Sequence, residues 1–263
     1  MPEVGPPIQS IIRRPRPGPE ALEVAVVYED DSLIAIDKPP GMVVHPTYKN
    51  WSGTLLNAVL WRVRGRLGIE PSIVTRLDKD TSGLVLVALR PELHAQIQRD
   101  GAAGRVRKEY LAIVCGMPDA ARGSIALPLA RSTEDRRRVV VDAAGQHSQT
   151  EYEVLSTWSE GGDQPPGSSL HGPPFHGRYS LVRCELVTGR THQIRVHLAA
   201  RGWPIAGDPC YGEPHPALTR QALHAWRVSL PHPVTRELLQ LEAPVPRDLR
   251  ALLQIVDRSI EEC

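Results

Sequence analysis

Apolar residues along this chain come in short runs of strand length, separated by polar or Gly- and Pro-rich stretches. The run at residues 85–89 is unbroken, which is typical of a strand buried on both faces. Two runs at 24–28 and 33–36 are split by four polar residues, and this spacing predicts a hairpin. Residues 106–114 and 149–155 alternate between apolar and polar positions, so they predict strands with one buried face.

Apolar residues at helical spacing lie between these strands. They predict one helix over residues 54–66 and a second over 91–99. A third helix is predicted to open within residues 188–197, and a fourth closes the chain from residue 246. Further strands are expected within residues 123–142 around an Arg-rich turn, over 179–187, and in a segment that follows residues 223–225 and ends at residue 230.

The domain organisation follows from the same patterns. A chain of 263 residues can bury a sizeable core in one large domain or two lobes. Residues 1–20 are rich in Pro and Arg and have no periodicity, so we expect a flexible leader there. Residues 21–263 are expected to form one domain, in which the Gly-, Pro- and Ser-rich residues 159–177 form a mobile hairpin insertion rather than a linker.

Charge changes this picture only locally. Lys plus Arg number 31 and Asp plus Glu number 30, so the formal net charge is +1 and the chain lacks a strongly basic composition that would predict nucleic-acid binding. Three basic clusters remain, and their members are Arg13, Arg14 and Arg16, then Arg105, Arg107 and Lys108, then Arg136, Arg137 and Arg138. Such clusters are most often solvated surface, and RNA contact is the alternative interpretation.

Cysteine and histidine spacing argues against metal chemistry. The four cysteines include no C-x-x-C pair, which speaks against a zinc knuckle or a disulfide framework and fits a reducing cytosol. His171 and His176 lack Cys or acidic companions, and His192 and His197 lack an H-E-x-x-H frame, so no metal site is predicted. No apolar run approaches membrane-spanning length, and we expect a soluble cytoplasmic protein.

Candidate chemistry lies just before the buried run at residues 85–89. Arg76 and Asp78 are two residues apart, so in an extended segment both would point to the same side. Residues 81–83 are predicted to form a short polar turn into the core. An Arg and an Asp beside a buried strand need partners, because unpaired buried charge is costly. Their spacing is more often that of a structural ion pair that anchors a loop, and a reactive carboxylate is the alternative; spacing alone does not choose between them.

A resemblance to a known family favours the reactive carboxylate. Residues 76–83, with Arg-Leu-Asp followed by Thr-Ser-Gly, resemble the R-L-D-x-x-T-S-G signature of the RluA-type pseudouridine synthases, which isomerise uridines in RNA. The Asp of that signature is the catalytic nucleophile, which implies this role for Asp78. The family's usual pattern has His before the Arg, whereas this chain has Thr75, so the auxiliary role of that position is in question here.

Further segments resemble other motifs of the same family, in the same order. They are K-P-x-G-x-x-V-H-P at 38–46, K-x-Y-x-A at 108–112, T-G-R-T-H-Q-I-R-x-H at 188–197, P-I-x-G-D-x-x-Y-G at 204–212, and L-H-A…H-P from 223 to 233. Together these matches span about three quarters of the chain. The Arg-rich turn and its strands look most like the branch that acts on large-subunit ribosomal RNA. No internal repeat is present.

The resemblance implies a set of site residues. Tyr110 is expected to lie against the target base and to help remove the proton at carbon 5, and Arg195 is expected to pair with the Asp78 carboxylate. Substrate contacts are expected from Arg76, Leu223, Arg190, His192, His45 and Lys108. Asp208, in the motif at 204–212, is expected to have a structural role.

The resemblance also implies the fold and the reaction. We expect an α+β domain with a mixed, mostly antiparallel central sheet flanked by helices, crossed in its middle by an RNA-binding cleft. Family relatives often carry an S4-like domain at the N-terminus, and from residues 1–20 we expect none here. Isomerisation oxidises nothing and donates no group, so neither a metal nor an organic cofactor is expected.

The sequence also leads to expectations about the substrate, the oligomeric state and two alternative functions. Ribosomal RNA is the expected substrate, transfer RNA the alternative, and the protein is expected to act as a monomer. One rival is a non-catalytic RNA-binding or ribosome-assembly factor with the same fold. A second rival is a carboxylate-dependent hydrolase of nucleosides or sugars, for which the sequence offers no convincing partner acid near Asp78.

Overall fold

The computed structural model describes residues 17–47, 50–159 and 177–256. The predicted leader and insertion fall almost wholly outside these ranges, as do Arg13, Arg14, Arg16, His171 and His176. The described strands are β1 (Ala25–Glu29), β2 (Leu33–Lys38), β3 (Ser72–Ile73), β4 (Ser82–Ala88), β5 (Arg107–Cys115), β6 (Arg122–Ile125), β7 (Leu129–Arg131), β8 (Val139–Val141), β9 (Thr150–Ser159), β10 (Arg178–Leu186), β11 (Leu223–Pro231) and β12 (Leu238–Glu242). The described helices are α1 (Leu55–Arg62), α2 (Pro91–Ala102), α3 (Gln193–Ala200) and α4 (Arg247–Val256).

Most of the strands join one large sheet. Its order is β1-β2-β4-β11-β5-β10-β9-β6, with β12 beside β11 and β3 beside β4, while β7 and β8 form a separate hairpin. Among the described strands, every pairing is antiparallel except that of β4 with β11. The prediction of an α+β fold with a mixed, mostly antiparallel sheet flanked by helices is confirmed.

Strand β4 is buried on both faces because a different helix covers each face. Leu86 packs in one apolar cluster with Ile97 of α2. Val87, the next residue, points to the opposite face and packs in another cluster with Val59 of α1. Burial of each such side chain stabilises the fold by about 1.5–3 kcal/mol. A strand covered on both faces needs apolar residues at successive positions, and the unbroken apolar run in the sequence supplies them.

Helix α1 begins where the sequence predicts because Thr54 caps it. The Asn57 N–H donates to Thr54 Oγ1 at 3.4 Å, and the Thr54 N–H donates to Asn57 Oδ1 at 3.0 Å, which is a reciprocal capping box. The helix ends at Arg62, four residues before the predicted end. Gly65 has a positive φ of 80°, a conformation that ends the helical path.

The predicted polar turn at residues 81–83 is wrong. The turn lies at Lys79 and Asp80, and Ser82 and Gly83 are already the first residues of β4. Gly83 has a φ of 108°, and a Cβ at this position would overlap the carbonyl oxygen of Ala225 in β11. The glycine therefore serves the close approach of two strands rather than a turn.

The structure also sets the start of one helix and moves the start of one strand. Residues 188–192 form a loop, and α3 begins only at Gln193, because His192 has a left-handed φ of 54° that a helix does not continue through. Strand β11 begins at Leu223 and so contains the L-H-A segment that we expected to precede it, since Leu223 already pairs with Ala112 of β5. None of the four described helices has the length and apolar content needed to cross a bilayer.

Candidate active site

Asp78 lies in a short loop that two buried cations hold in place. The loop follows β3 and turns at Lys79 and Asp80 into β4. Lys38 is fully buried, and its Nζ donates to three backbone carbonyl oxygens, one of them that of Lys79, at 2.7–2.9 Å. Arg220 Nη1 donates to the carbonyl oxygen of Asp80 at 3.2 Å. These bonds to the residues after Asp78 restrict where its carboxylate can point.

Arg195, in the first turn of α3, joins Asp78 to Asp208. Its Nη1 donates to Asp78 Oδ2 at 2.8 Å, and its Nε and Nη2 donate to the two carboxylate oxygens of Asp208 at 2.7 and 2.8 Å. Asp208 Oδ1 also accepts the backbone N–H groups of Cys210 and Tyr211. The Asp208 side chain is completely buried, whereas that of Asp78 is 25% exposed. Asp78 is therefore the carboxylate of the two that faces the solvent side.

The electrostatics of these three groups favour a charged guanidinium. Burial acts to lower the pKa of Arg195, but the hydrogen bonds and charges of Asp208 and Asp78 outweigh it and raise that pKa. Burial acts to raise the pKa of Asp208, and the hydrogen bonds and charge of Arg195 lower it instead. With both carboxyl groups ionised, the three side chains carry a net charge of −1.

His192 approaches Asp78 from the loop before α3. Its Nε2 is 3.8 Å from Asp78 Oδ2, and its Nδ1 is 2.8 Å from the hydroxyl of Tyr211. That hydroxyl accepts the backbone N–H of Val139 in β8 at 2.8 Å. Burial, the largest influence, lowers the pKa of His192. The contact therefore links the β7–β8 hairpin to the edge of the site through an imidazole that is neutral near pH 7.

A single cleft of about 660 Å³ opens over the middle strands of the sheet, and Asp78 lines it. All nine residues that the sequence predicts for catalysis or substrate contact line this cleft. They are Asp78, Tyr110, Arg195, Arg76, Leu223, Arg190, His192, His45 and Lys108. Their catalytic and binding roles stay predictions, but the tertiary structure brings residues from 45 to 223 of the chain to one place.

Tyr110 and Leu223 form the apolar side of the cleft. They come from neighbouring strands, since Tyr110 is in β5 and Leu223 begins β11. Burial, with a contribution from the charge of Asp78, raises the pKa of Tyr110 well above its ordinary value. Tyr110 therefore presents a neutral phenol to the cleft at physiological pH.

Thr75 stands where the family's signature has His, and its contact here is structural. Its Oγ1 accepts the backbone N–H of Leu86 in β4 at 2.9 Å, while the residue also lines the cleft. The next motif residues are structural as well. Ser82 Oγ donates to His224 Nδ1 at 3.0 Å, since His224 Nε2 faces the carbonyl oxygen of Ala243. The L-H-A segment is thereby tied to the start of β4.

Sequence reasoning missed three contributors to the site. It predicted a structural role for Asp208 but not that Asp208 pairs with Arg195. It predicted no role for Tyr211 or Lys38. Asp208 and Tyr211 both belong to the P-I-x-G-D-x-x-Y-G match, so the motif marked the segment but not the contact. Lys38 opens the K-P-x-G match, and burial lowers its pKa to about 8. The carbonyl oxygens that surround it leave no trace in the sequence.

The site thus has one carboxylate held by a guanidinium in a cleft over a mixed, mostly antiparallel sheet. The sequence profile of the family described as RNA pseudouridylate synthase matches residues 32–200. The chain belongs to this family, and the resemblance to its RluA-type members is confirmed.

Individual relatives agree with this assignment. The chain is 41% identical over 248 residues to ribosomal large subunit pseudouridine synthase D of Nitrosomonas europaea, in a match that covers 90% of this chain and 66% of that protein. It is 36% identical over 261 residues to the protein of the same name from Zymomonas mobilis, covering 92% and 76%. The solved structure of human RNA pseudouridylate synthase domain containing 1 superposes with a TM-score of 0.68 at 25% identity, covering 90% and 89%.

Proposed function

We propose that this protein converts uridine to pseudouridine in large-subunit ribosomal RNA, with Asp78 as the reacting carboxylate. The observation that carries the proposal is the Asp78–Arg195 hydrogen bond of 2.8 Å at the edge of a cleft that also holds Tyr110 and Leu223. The relatives named for large-subunit ribosomal RNA support that substrate. Transfer RNA is the alternative to be tested.

The reaction is an isomerisation, and its balance sets what the site must do. The bond from ribose C1′ to uracil N1 breaks, a bond from C1′ to C5 forms, the proton on C5 leaves, and N1 gains a proton. Asp78 supplies the carboxylate that acts on the nucleoside when the C1′–N1 bond breaks. Arg195 aims this carboxylate, and Tyr110 offers an aromatic face on which the detached uracil can turn.

The charge distribution suits a polyanionic substrate, although the net charge of the chain is only +1. Among the described residues that line the cleft, Asp78 carries the only carboxylate, whereas Arg76, Lys108, Arg190 and Arg195 are cationic. Some arginines remote from the cleft are instead paired with carboxylates, as Arg122 is with Glu153. The lining of the cleft itself therefore carries a surplus of positive charge where RNA would enter.

The single carboxylate also weighs against the hydrolase alternative. Enzymes that hydrolyse glycosidic bonds ordinarily use two carboxyl groups, about 5–5.5 Å or about 6.5–9.5 Å apart, on either side of the bond. The other carboxylate that Arg195 binds, Asp208, is fully buried and already accepts four hydrogen bonds. It has no access to a substrate.

The test is tritium release from RNA labelled at carbon 5 of uridine. Unmodified transcripts of large-subunit ribosomal RNA and of transfer RNA are supplied separately to the wild type, Asp78→Ala and Asp78→Asn. We expect release by the wild type from ribosomal RNA, and a loss of at least about 10³-fold in both variants, because neither replacement can act as a nucleophile. Both variants should still bind RNA.

Asp119→Asn is the matched control, because Asp119 is an exposed carboxylate that does not line the cleft. Circular dichroism shows whether each variant is folded. Undiminished release by Asp78→Asn would refute the assignment of Asp78. Binding without release by the wild type would instead favour the assembly-factor alternative, and free uracil among the products would favour a hydrolase.

A further inference from the structure

A second cavity, of about 480 Å³, adjoins the cleft and has no role in the reaction described above. It shares Arg76, Gly189, Arg190 and Thr191 with the cleft, so the two are continuous. We call it the side cavity. Its volume is within the range of about 300–1,000 Å³ that is typical of small-ligand sites.

Three separate segments each bring an arginine to the side cavity. Arg76 comes from the loop before Asp78, Arg190 from the loop before α3, and Arg131 from the end of β7. All three are exposed. Because no local sequence pattern relates them, the tertiary structure alone assembles this group.

The charge of the side cavity is uncompensated within the described part of the chain. None of the described residues that line it is acidic. Arg131 Nη1 donates to the carbonyl oxygen of Arg136 at 3.1 Å, and Arg190 Nε donates to that of His147 at 3.2 Å. Neither these two arginines nor Arg76 pairs with a carboxylate among the described residues. Their remaining N–H groups are available to an anion.

The hairpin that carries Arg131 is tied to the active site. Strands β7 and β8 pair from Leu129 to Arg131, and the backbone N–H of Val139 in β8 donates to Tyr211, whose hydroxyl contacts His192. Leu129 and Val139 pack with Val196 of α3 in one apolar cluster. The position of Arg131 relative to Asp78 is therefore set by the packed core rather than by a free loop.

We propose that the side cavity binds the phosphodiester backbone of a nucleotide that adjoins the target uridine, with Arg131 as a specific contact. This inference rests on the proposed function, since it concerns the same RNA. Guanidinium groups suit phosphate because their forked N–H groups match its oxygens. Continuity with the cleft places the bound phosphate beside the uridine, so the contact fixes the register of the RNA while the cleft selects the base.

The experiment compares Arg131→Ala and Arg131→Lys with the wild type. Arg122→Ala is the matched control, since Arg122 is an exposed arginine of the neighbouring strand β6 that pairs with Glu153 and does not line the side cavity. The probe is an unmodified transcript of large-subunit ribosomal RNA. Its affinity is measured by filter retention over a series of salt concentrations, and tritium release is measured on the same RNA.

For Arg131→Ala we expect a Kd roughly tenfold higher, and a slope of log K against log salt that is reduced by about 1, because one phosphate contact is lost. Arg131→Lys retains the charge, so its salt slope should match the wild type while its Kd lies between the two. Arg122→Ala should match the wild type in both quantities. Circular dichroism checks that all variants are folded.

Equal affinities and salt slopes for Arg131→Ala and Arg122→Ala would overturn the side-cavity assignment, whatever the turnover. If the wild type releases no tritium from this RNA while Arg131→Ala still lowers affinity and slope, the side cavity stands and the proposed reaction on this substrate falls. The binding and turnover measurements therefore separate the two proposals.

Discussion

At the scale of single residues, the guanidinium of Arg195 lies between two carboxylates that have different surroundings. Asp208 binds it through two hydrogen bonds and is fully buried, and Asp78 binds it through one and reaches the cleft. Asp208 thus sets the plane of the guanidinium, so that Nη1 points at Asp78. It also offsets the charge of Arg195, which leaves Asp78 in a group with net charge −1 rather than in a neutral pair.

Asp208→Asn should therefore lower kcat about 10–100-fold with little change in KM, because a carboxamide cannot accept both guanidinium N–H groups and Arg195 loses its aim. The measurement is steady-state tritium release. Asp100→Asn is the control: Asp100 is also buried and binds Arg236 through two hydrogen bonds, but it does not line the cleft. A fall in kcat of equal size in both variants would mean that Asp208 acts only through stability.

At the scale of elements, the contact between β4 and β11 brings the two halves of the site together. The strands pair in parallel at His224 with Ser82 and at Ala225 with Gly83. Asp78 lies just before the first strand, and Leu223 begins the second. The pair can approach this closely only because Gly83 has no Cβ to meet the backbone of Ala225.

Gly83→Ala should destabilise the fold by more than about 3 kcal/mol, since it adds a backbone overlap to the cost of a positive φ. Gly104→Ala is the control for the cost of the positive φ alone, because Gly104 has a φ of 71° with open space around its Cβ position. The free energy of unfolding of this control should decrease by only about 1–2 kcal/mol. Urea unfolding gives both values, and near-equal losses would show that the β4–β11 approach tolerates a methyl group.

At the scale of the whole molecule, carboxylate–arginine pairs join segments that are distant in sequence. Asp100 of α2 binds Arg236 in the turn between β11 and β12, and Asp248 of α4 binds Arg220 beside the active-site loop. The hydrogen bonds of Arg236 outweigh burial and lower the pKa of Asp100. For Asp248, burial acts to raise the pKa, but the bonds and charge of Arg220 lower it overall.

Stability should therefore fall with acid. A carboxyl group whose pKa is lowered by folding contributes its stabilisation fully above its unfolded pKa of about 4, and loses it as the pH falls towards the folded value. We expect the melting temperature to fall modestly from pH 7 to 5, because burial lowers the pKa of His192, His197 and His224 and the unfolded chain binds those protons first, and to drop more steeply below pH 4 as the carboxyl groups protonate. The Asp100→Asn variant should be less stable than the wild type at pH 7, but its melting temperature should fall less than that of the wild type between pH 5 and 3. A parallel drop in both proteins would contradict this account of Asp100.

The sequence by itself determined most of the elements and named the candidate site residues. Alternation and helical spacing depend on neighbours along the chain, so they located the β1–β2 hairpin, β4, β5 and α2 closely. Motif matches named Asp78, Tyr110 and Arg195 before any geometry was known. Strands β3 and β12 were missed, since β3 is only two residues long and β12 has one buried position among five.

Only the tertiary structure decided how these residues meet. Asp78 and Arg195 are 117 residues apart. The Arg195–Asp208 pair, the bond from Lys38 to the carbonyl oxygen of Lys79 and the three arginines of the side cavity also depend on contacts between different segments. Such contacts follow from strand order and from the close β4–β11 approach. A one-dimensional pattern does not encode them, because the free energy that selects them comes from packing between distant segments.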